Sequence, residues 1–325
     1  MMYSVKEISV LVNEAIKKRK FPTEPAELYE PLEYIMQLEG KRFRPCLLLL
    51  AKNLFSNEIS DSINLAIAIE YFHTFTLIHD DIMDDAPLRR GMPTIHEKWN
   101  NNIAILSGDV MFVSAFELIS SAPDKHLSQI LRIFNKMARE VCEGQQFDMN
   151  FESRKHVTID EYLKMISLKT AVLLGASLEI GAVLGNASAV DASHLYHFGL
   201  NMGIAFQLRD DMLDVYGSPE IFGKRVGGDI LANKKTYLLL KALEEADASV
   251  KNQLEGFLTE NYLEPSLKIS RVKSIYDSLN IDELAAETIN FYSSEAFKHL
   301  AGLNLPEERK QILLNFCAEF SKRQS

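Results

Sequence analysis

The chain has 325 residues, with 35 Lys plus Arg against 45 Asp plus Glu, a formal net charge of −10. An acidic balance argues against nucleic acid as a partner, because phosphates call for a basic surface. Cys46, Cys142 and Cys317 show no paired spacing, which points to neither a disulfide framework nor a zinc site and fits a reducing cytoplasm.

The first twenty residues are interrupted by charge too often for a signal-peptide apolar region. Pro22, Pro25 and Pro31 break the early chain, and Gly40-Lys41-Arg42-Phe43-Arg44-Pro45 precedes an apolar run. From Ser62 to Asp81 apolar residues recur at three- and four-residue spacings, which predicts a helix. Breakers follow at Pro87 to Pro93. The helical pattern then returns over Met111 to Ile119, Leu127 to Val141, Leu195 to Val215 and Ile281 to Leu300. The run from Ala171 to Gly185 holds Glu179 and falls short of the ~20 residues that span a bilayer, so no integral membrane segment is expected. Membrane contact would be peripheral. Alternating strand patterns are nearly absent and no linker divides the chain. The expectation is a single all-α domain over residues 1–325, built of roughly ten or more helices.

Chemistry concentrates in two clusters. Asp80, Asp81, Asp84 and Asp85 close the first long helix, and Asp210, Asp211 and Asp214 close the Leu195 helix. Asp80 and Asp84 stand four apart, on one helix face. So do Asp210 and Asp214. Like charges at that spacing repel unless a cation sits between them, and hard carboxylate oxygens suit Mg²⁺ together with substrate phosphates. One such pair alone is more often a solvated acidic face than a metal site. Two, each ending an apolar helix and followed by basic residues, would bind a metal–diphosphate head if the helices lie side by side, with a hydrocarbon tail enclosed among them. Arg89, Arg90, Lys41, Arg44, Lys169, Lys224 and Lys234 supply phosphate-binding charge in this reading.

GKRFRP, DDIMD followed by RRG, GQQFD, the Lys169-Thr170 pair, FQLRDDMLD and GKRVGGDILANKKT occur in that order between Gly40 and Thr236. On these motifs the sequence resembles the trans-isoprenyl diphosphate synthase family. The resemblance implies one helical bundle of the isoprenoid synthase type with a central active-site cavity, working as a homodimer. It implies about three Mg²⁺ per site, two on Asp80 and Asp84 and one on Asp210, with Asp81, Asp211 and Asp214 in support. Arg89, Lys169 and Lys234, with Lys224 beside them, would hold the allylic diphosphate. Lys41, Arg44, His73 and Arg90 would hold isopentenyl diphosphate. Gln207 and Thr170 would lie near the reacting carbons, and Gln145 and Asp148 would support the allylic site. Two departures stand out: Glu39 where many members have a second Gly, and Asp85 as a further acid in the first cluster.

Product length follows from helix geometry. Thr76, Phe75 and Phe72 precede Asp80 by four, five and eight residues and share roughly its face. At ~1.5 Å per residue Phe75 lies roughly 7.5 Å below Asp80, where an aromatic would floor a tail pocket. A single Phe followed by Thr resembles the geranylgeranyl class, with a farnesyl or longer product as the alternative. A terpene cyclase and a non-catalytic synthase subunit are further readings. The second cluster and GKRFRP favour two substrates, and the intact aspartates favour catalysis.

Overall fold

The structure is a computed structural model that describes residues 2–38, 40–217, 226–259 and 264–322. Lys224 and Glu39 lie outside the described residues. The described chain is helical nearly throughout. It comprises α1 (Val5–Lys18), α2 (Ala26–Gln37), α3 (Phe43–Phe55), α4 (Ile63–Met83), α5 (Ile95–Lys98), α6 (Asn101–Ser120), α7 (Asp124–Ser153), α8 (Ile159–Ile166), α9 (Val172–Leu184), α10 (Ala189–Tyr216), α11 (Gly228–Leu231), α12 (Tyr237–Glu245), α13 (Ala248–Thr259), α14 (Pro265–Ser278), α15 (Ile281–Ala301) and α16 (Glu307–Lys322). The expected all-α class is observed.

Local signals explain where helices start. Ser4 and Glu7 form a reciprocal capping box at α1, and Thr158 and Glu161 form another at α8. Between α4 and α5 the chain makes one small hairpin, β1 (Leu88–Arg89) on β2 (Met92–Pro93), with Arg89 opposite Met92. Its two turn residues, Arg90 and Gly91, have φ of 54° and 76°. Left-handed backbone at both positions is what a tight two-residue hairpin requires, and Gly91 takes it without strain.

By contact the chain divides into two units. The first comprises Met1–Ala138, Ala176–Tyr196 and Asn304–Ile312; the second comprises Arg139–Gly175, His197–Leu303 and Leu313–Ser325. In the first unit α3 buries an unbroken run from Pro45 to Leu54, and α4 buries Leu65 to Phe72. Residues buried on all sides of a helix make it a core element rather than a surface one. α4 carries the first aspartate cluster at its C-terminal end. In the second unit Tyr162, Met165, Ile166, Ala205, Leu208, Tyr237 and Ile289 form a core against which α10 brings the second cluster.

Two helices are long and apolar enough, by length and composition, to cross a membrane. One is Ile159–Leu184, continuous because a π-helical turn at Ser167–Ala171 joins α8 to α9; it is mostly buried within the protein, as a core helix is. The other is α6, mostly unburied, with Ile105, Leu106, Val113 and Phe116 exposed along one side. Neither length was legible from the apolar runs, because polar residues interrupt both.

The basic segment before α3 is anchored by a buried pair. Arg42 sits in the left-handed region at φ 45° and is ion-paired with Glu70 of α4, with side-chain exposures of 6% and 3%. Arg42 also donates to the carbonyls of Met36 and Leu38, at 2.9 and 3.2 Å. Removing one member leaves an uncompensated buried charge, which costs about 3–5 kcal/mol. Glu70→Ala is therefore expected to lower unfolding free energy by about that amount in denaturant melts. A change within about 0.5 kcal/mol would remove the pair from the anchoring role.

Candidate active site

The first unit holds the Asp80 cluster. α4 ends in order: the N–H of Asp84 donates to Asp80 O at 2.8 Å, and Asp85 turns to φ 48°. Asp80 is half-buried and Asp84 exposed, whereas Asp81 is buried at 2%. Asp81 accepts from Arg89 Nε at 2.9 and 2.8 Å and from Nη2 at 2.6 Å. The middle carboxylate thus points inward and fixes Arg89, a few residues away on the hairpin.

Beside it lies an arginine cluster. Arg44 Nη1 stands 3.1 Å from His73 Nε2. The guanidinium is always charged and can only donate, so the imidazole accepts at Nε2 and carries its proton on Nδ1. Desolvation, then the charges of Arg44, Arg90, Arg89 and Arg42, holds the His73 pKa well below its ordinary 6.5. The Arg90 pKa is also lowered, by burial and then by Arg42. Four arginines around one neutral ring make a positive site, offset in part by Glu70. Lys41 is exposed, with its ammonium 5.7 Å from the Phe43 ring centroid.

Further down α4, Phe72 is fully buried and Phe75 half-buried, their ring centroids 5.6 Å apart. Phe112 joins both, at 6.0 and 5.1 Å, and Phe134 packs edge-on against Phe72 at 5.5 Å. The aromatic layer is therefore shared by α4, α6 and α7. Sequence reasoning missed Phe112 and Phe134, whose apolar helices carry no motif. Thr76 turns its hydroxyl back to His73 O at 2.8 Å, so it adds little bulk beyond its own helix.

The second unit holds the Asp210 cluster with a similar division of labour. Asp210 and Asp214 are half-buried, and Asp211 is buried at 5%. Asp211 accepts from the Tyr162 hydroxyl, from Gln207 Nε2 at 3.3 Å and from the Tyr237 N–H at 3.3 Å. Burial pushes the Asp211 pKa up to about 7 against these donors. Thr170 Oγ1 donates to Gln207 Oε1 at 3.3 Å, so a chain of bonds runs from the π turn through Gln207 to Asp211. Asp214 accepts from the Asp229 N–H at 3.0 Å, which ties the GGD segment to α10. Lys234 is exposed and interacts electrostatically with Asp211.

The π turn itself has a function in positioning. An i→i+5 bulge inside a helix redirects side chains and is common at functional sites. Here it carries Lys169, which bonds Asp148 at 2.6 Å, and Thr170. Gly144 makes room for it: a Cβ there would lie 2.2 Å from Lys169 N and 2.6 Å from its Cα. Gln145 beside it is half-buried on α7. Tyr162 was missed by sequence reasoning, because it lies 49 residues from Asp211 with no local signal.

Within each unit some of the motif residues meet: Asp81 with Arg89 and Arg44 with His73 in the first, Lys169 with Asp148 and Thr170 with Gln207 in the second. In the first unit an apolar helix that ends in paired carboxylates lies beside an arginine-rich cluster, an arrangement suited to an anionic head group on an apolar body. The comparisons carry this further. Residues 25–279 match the family described as polyprenyl synthetase, and the chain belongs to that family. It is 41% identical over 243 residues to a geranylgeranyl diphosphate synthase of Methanosarcina mazei, covering 74% of this chain and 75% of the relative. It is 33% identical to a geranylfarnesyl diphosphate synthase of Natronomonas pharaonis, covering 98% and 96%. A crystal structure of a geranylgeranyl pyrophosphate synthase superposes with a TM-score of 0.94 at 40% identity over 100% of both chains.

The neutral state of His73 has a pH consequence. Its folded pKa is depressed, so the unfolded chain binds more protons once pH falls below about 6.5. The stability this contributes is present above that pH and lost below it. His73→Gln should flatten the decline in melting temperature between about pH 7 and 5. An unaltered decline would mean that the ring protonates in the folded protein.

Proposed function

We propose that this chain condenses isopentenyl diphosphate with an allylic diphosphate to make a short-chain all-trans prenyl diphosphate, geranylgeranyl diphosphate foremost. One observation carries the reading: a carboxylate pair at the end of an apolar, aromatic-floored helix shares a unit with four arginines around neutral His73. Anion recognition and hydrocarbon burial together fit an amphiphile with an anionic head, and the carboxylate pair suits a head that brings a metal ion, as a diphosphate does. The geranylgeranyl and geranylfarnesyl relatives support the short-chain class.

The donor set fits magnesium. Asp80, Asp84, Asp210 and Asp214 offer only hard oxygens, and the inner acids, Asp81 and Asp211, are engaged by protein donors. Bound Mg²⁺ would supply positive charge against a diphosphate that gains charge as it leaves. Asp80 and Asp84 in the first unit, and Asp210 in the second with Asp214 in support, are the residues that would hold it. Asp81 keeps Arg89 oriented, and Asp211 does the same for Gln207. Arg89, Lys169 and Lys234 hold the allylic diphosphate and stabilise it as its C–O bond breaks and the electron pair departs with it. Lys41, Arg44, His73 and Arg90 hold the second diphosphate. Its double bond attacks the allylic carbon to form the new C–C bond, and a proton is then lost to the departed diphosphate. The Thr170 and Gln207 oxygens would stabilise the cation without capturing it. Phe75 and Phe72 end the tail pocket, and Thr76 leaves it longer than a second aromatic would.

The working form in this proposal is a homodimer. The exposed Ile105, Leu106, Val113 and Phe116 of α6 recur at seven- and three-residue spacings, an apolar stripe of the kind a second copy covers.

Asp80→Ala and Asp210→Ala should each cut turnover about a hundredfold or more while far-UV circular dichroism and melting temperature stay close to those of the parent. Near-normal turnover in either would sink the metal assignment. Phe75→Ala should shift products toward longer chains. An unchanged distribution would take Phe75 out of the length control.

A further inference from the structure

The first unit holds a second group of donors that the condensation chemistry leaves unused. Asp85, His96 and Glu97 place one ligand atom each within 4.8 Å of one another. Asp85 and Glu97 are exposed, while His96 is buried at 8% exposure. Both His96 ring nitrogens are buried without a hydrogen-bond partner among the described residues, and Glu97 Oε1 stands 3.7 Å from Nε2, beyond hydrogen-bond distance. A buried imidazole with neither nitrogen bonded is costly, and such groups normally find a partner. The one basic side chain next in sequence, Lys98, is engaged elsewhere, over the Tyr34 and Trp99 rings at 3.7 and 4.7 Å.

We propose that Asp85, His96 and Glu97 form a binding site for a divalent transition ion of the zinc or cobalt class, separate from the diphosphate-binding aspartates. The donor chemistry selects the ion. An imidazole nitrogen with two carboxylates suits zinc, cobalt or manganese, whereas magnesium prefers oxygen alone. Three protein ligands leave a coordination position for water. The ion would accept the lone pair of one His96 nitrogen and neutralise two acids that otherwise face each other.

The site also has a structural role. Asp85 stands where α4 ends, in the left-handed region at φ 48°. His96 and Glu97 lie beyond the hairpin, on α5. An ion held by all three closes the segment that bears Arg89 and Arg90, adding to the Thr94 Oγ1 to Ala86 O bond at 2.8 Å and the Thr94 N–H to Pro87 O bond at 3.2 Å that already close it. An ion bridging the end of α4 to α5 would favour the folded state, so binding should show in thermal stability as well as in spectroscopy.

Cobalt(II) is the probe. Chelator-treated full-length protein would be titrated with it in a large excess of Mg²⁺, which occupies the oxygen-only clusters. The expected result is about one equivalent bound, with paramagnetically shifted imidazole signals from a single histidine and a raised melting temperature. His96→Gln should abolish those signals, and Glu97→Gln, at an exposed position, should weaken cobalt binding about tenfold or more with the fold intact. Wild-type protein that binds cobalt without imidazole signals would overturn the proposal. So would signals that persist in His96→Gln, or Glu97→Gln affinity equal to that of wild type.

Discussion

Ionised carboxylates one helical turn apart repel, and the repulsion grows as an apolar core displaces the water that would screen it. Both aspartate helices end under that constraint. In each, the middle acid is turned inward and given donors: Asp81 takes three contacts from Arg89, and Asp211 takes the Tyr162 hydroxyl, Gln207 and a backbone N–H. The inner acid thereby becomes part of the scaffold. In the proposed function the outer acids, Asp80 with Asp84 and Asp210 with Asp214, are the ones that a cation would bridge. Arg89 and Gln207, held by the inner acids, are the residues that the proposed mechanism needs in fixed places.

The arginine cluster obeys a related constraint. Guanidinium groups this close destabilise one another unless something holds them, and each has a specific holder. Glu70 pairs Arg42 inside the protein, Asp81 holds Arg89, and neutral His73 accepts from Arg44. Arg90 is placed by the hairpin turn, whose backbone angles leave few alternatives. A site assembled from pre-held cations binds a diphosphate without first ordering its own side chains. A neutral histidine among them adds a hydrogen-bonding surface without adding repulsion.

Much of this was legible in sequence where the signal is local. Three- and four-residue apolar spacing marked α4, α6, α7, α10 and α15, and the paired acids marked the helix ends that matter. The motifs named the family before any coordinate did. What escaped is what depends on contacts between distant residues. Tyr162 reaches Asp211 through tertiary packing alone. The π turn packs against α7 where Gly144 lets backbone approach backbone, which no spacing rule records. The floor expected from Phe75 and Phe72 of one helix is joined by Phe112 and Phe134, which arrive from other helices to build a layer. The Arg90-Gly91 hairpin was hidden among breakers because strands of two residues leave no alternating pattern.

The central claim joins a metal-bound diphosphate to a hydrocarbon pocket of limited depth. The most direct measurement incubates the purified protein with Mg²⁺, isopentenyl diphosphate and each allylic diphosphate in turn, with product length read by mass spectrometry. Magnesium-dependent condensation that accumulates geranylgeranyl diphosphate is the expected result. Products that stop at farnesyl diphosphate or run on to geranylfarnesyl diphosphate and beyond would contradict the pocket depth set by Phe75 and Phe72. Folded protein that condenses no primer would contradict the reaction itself.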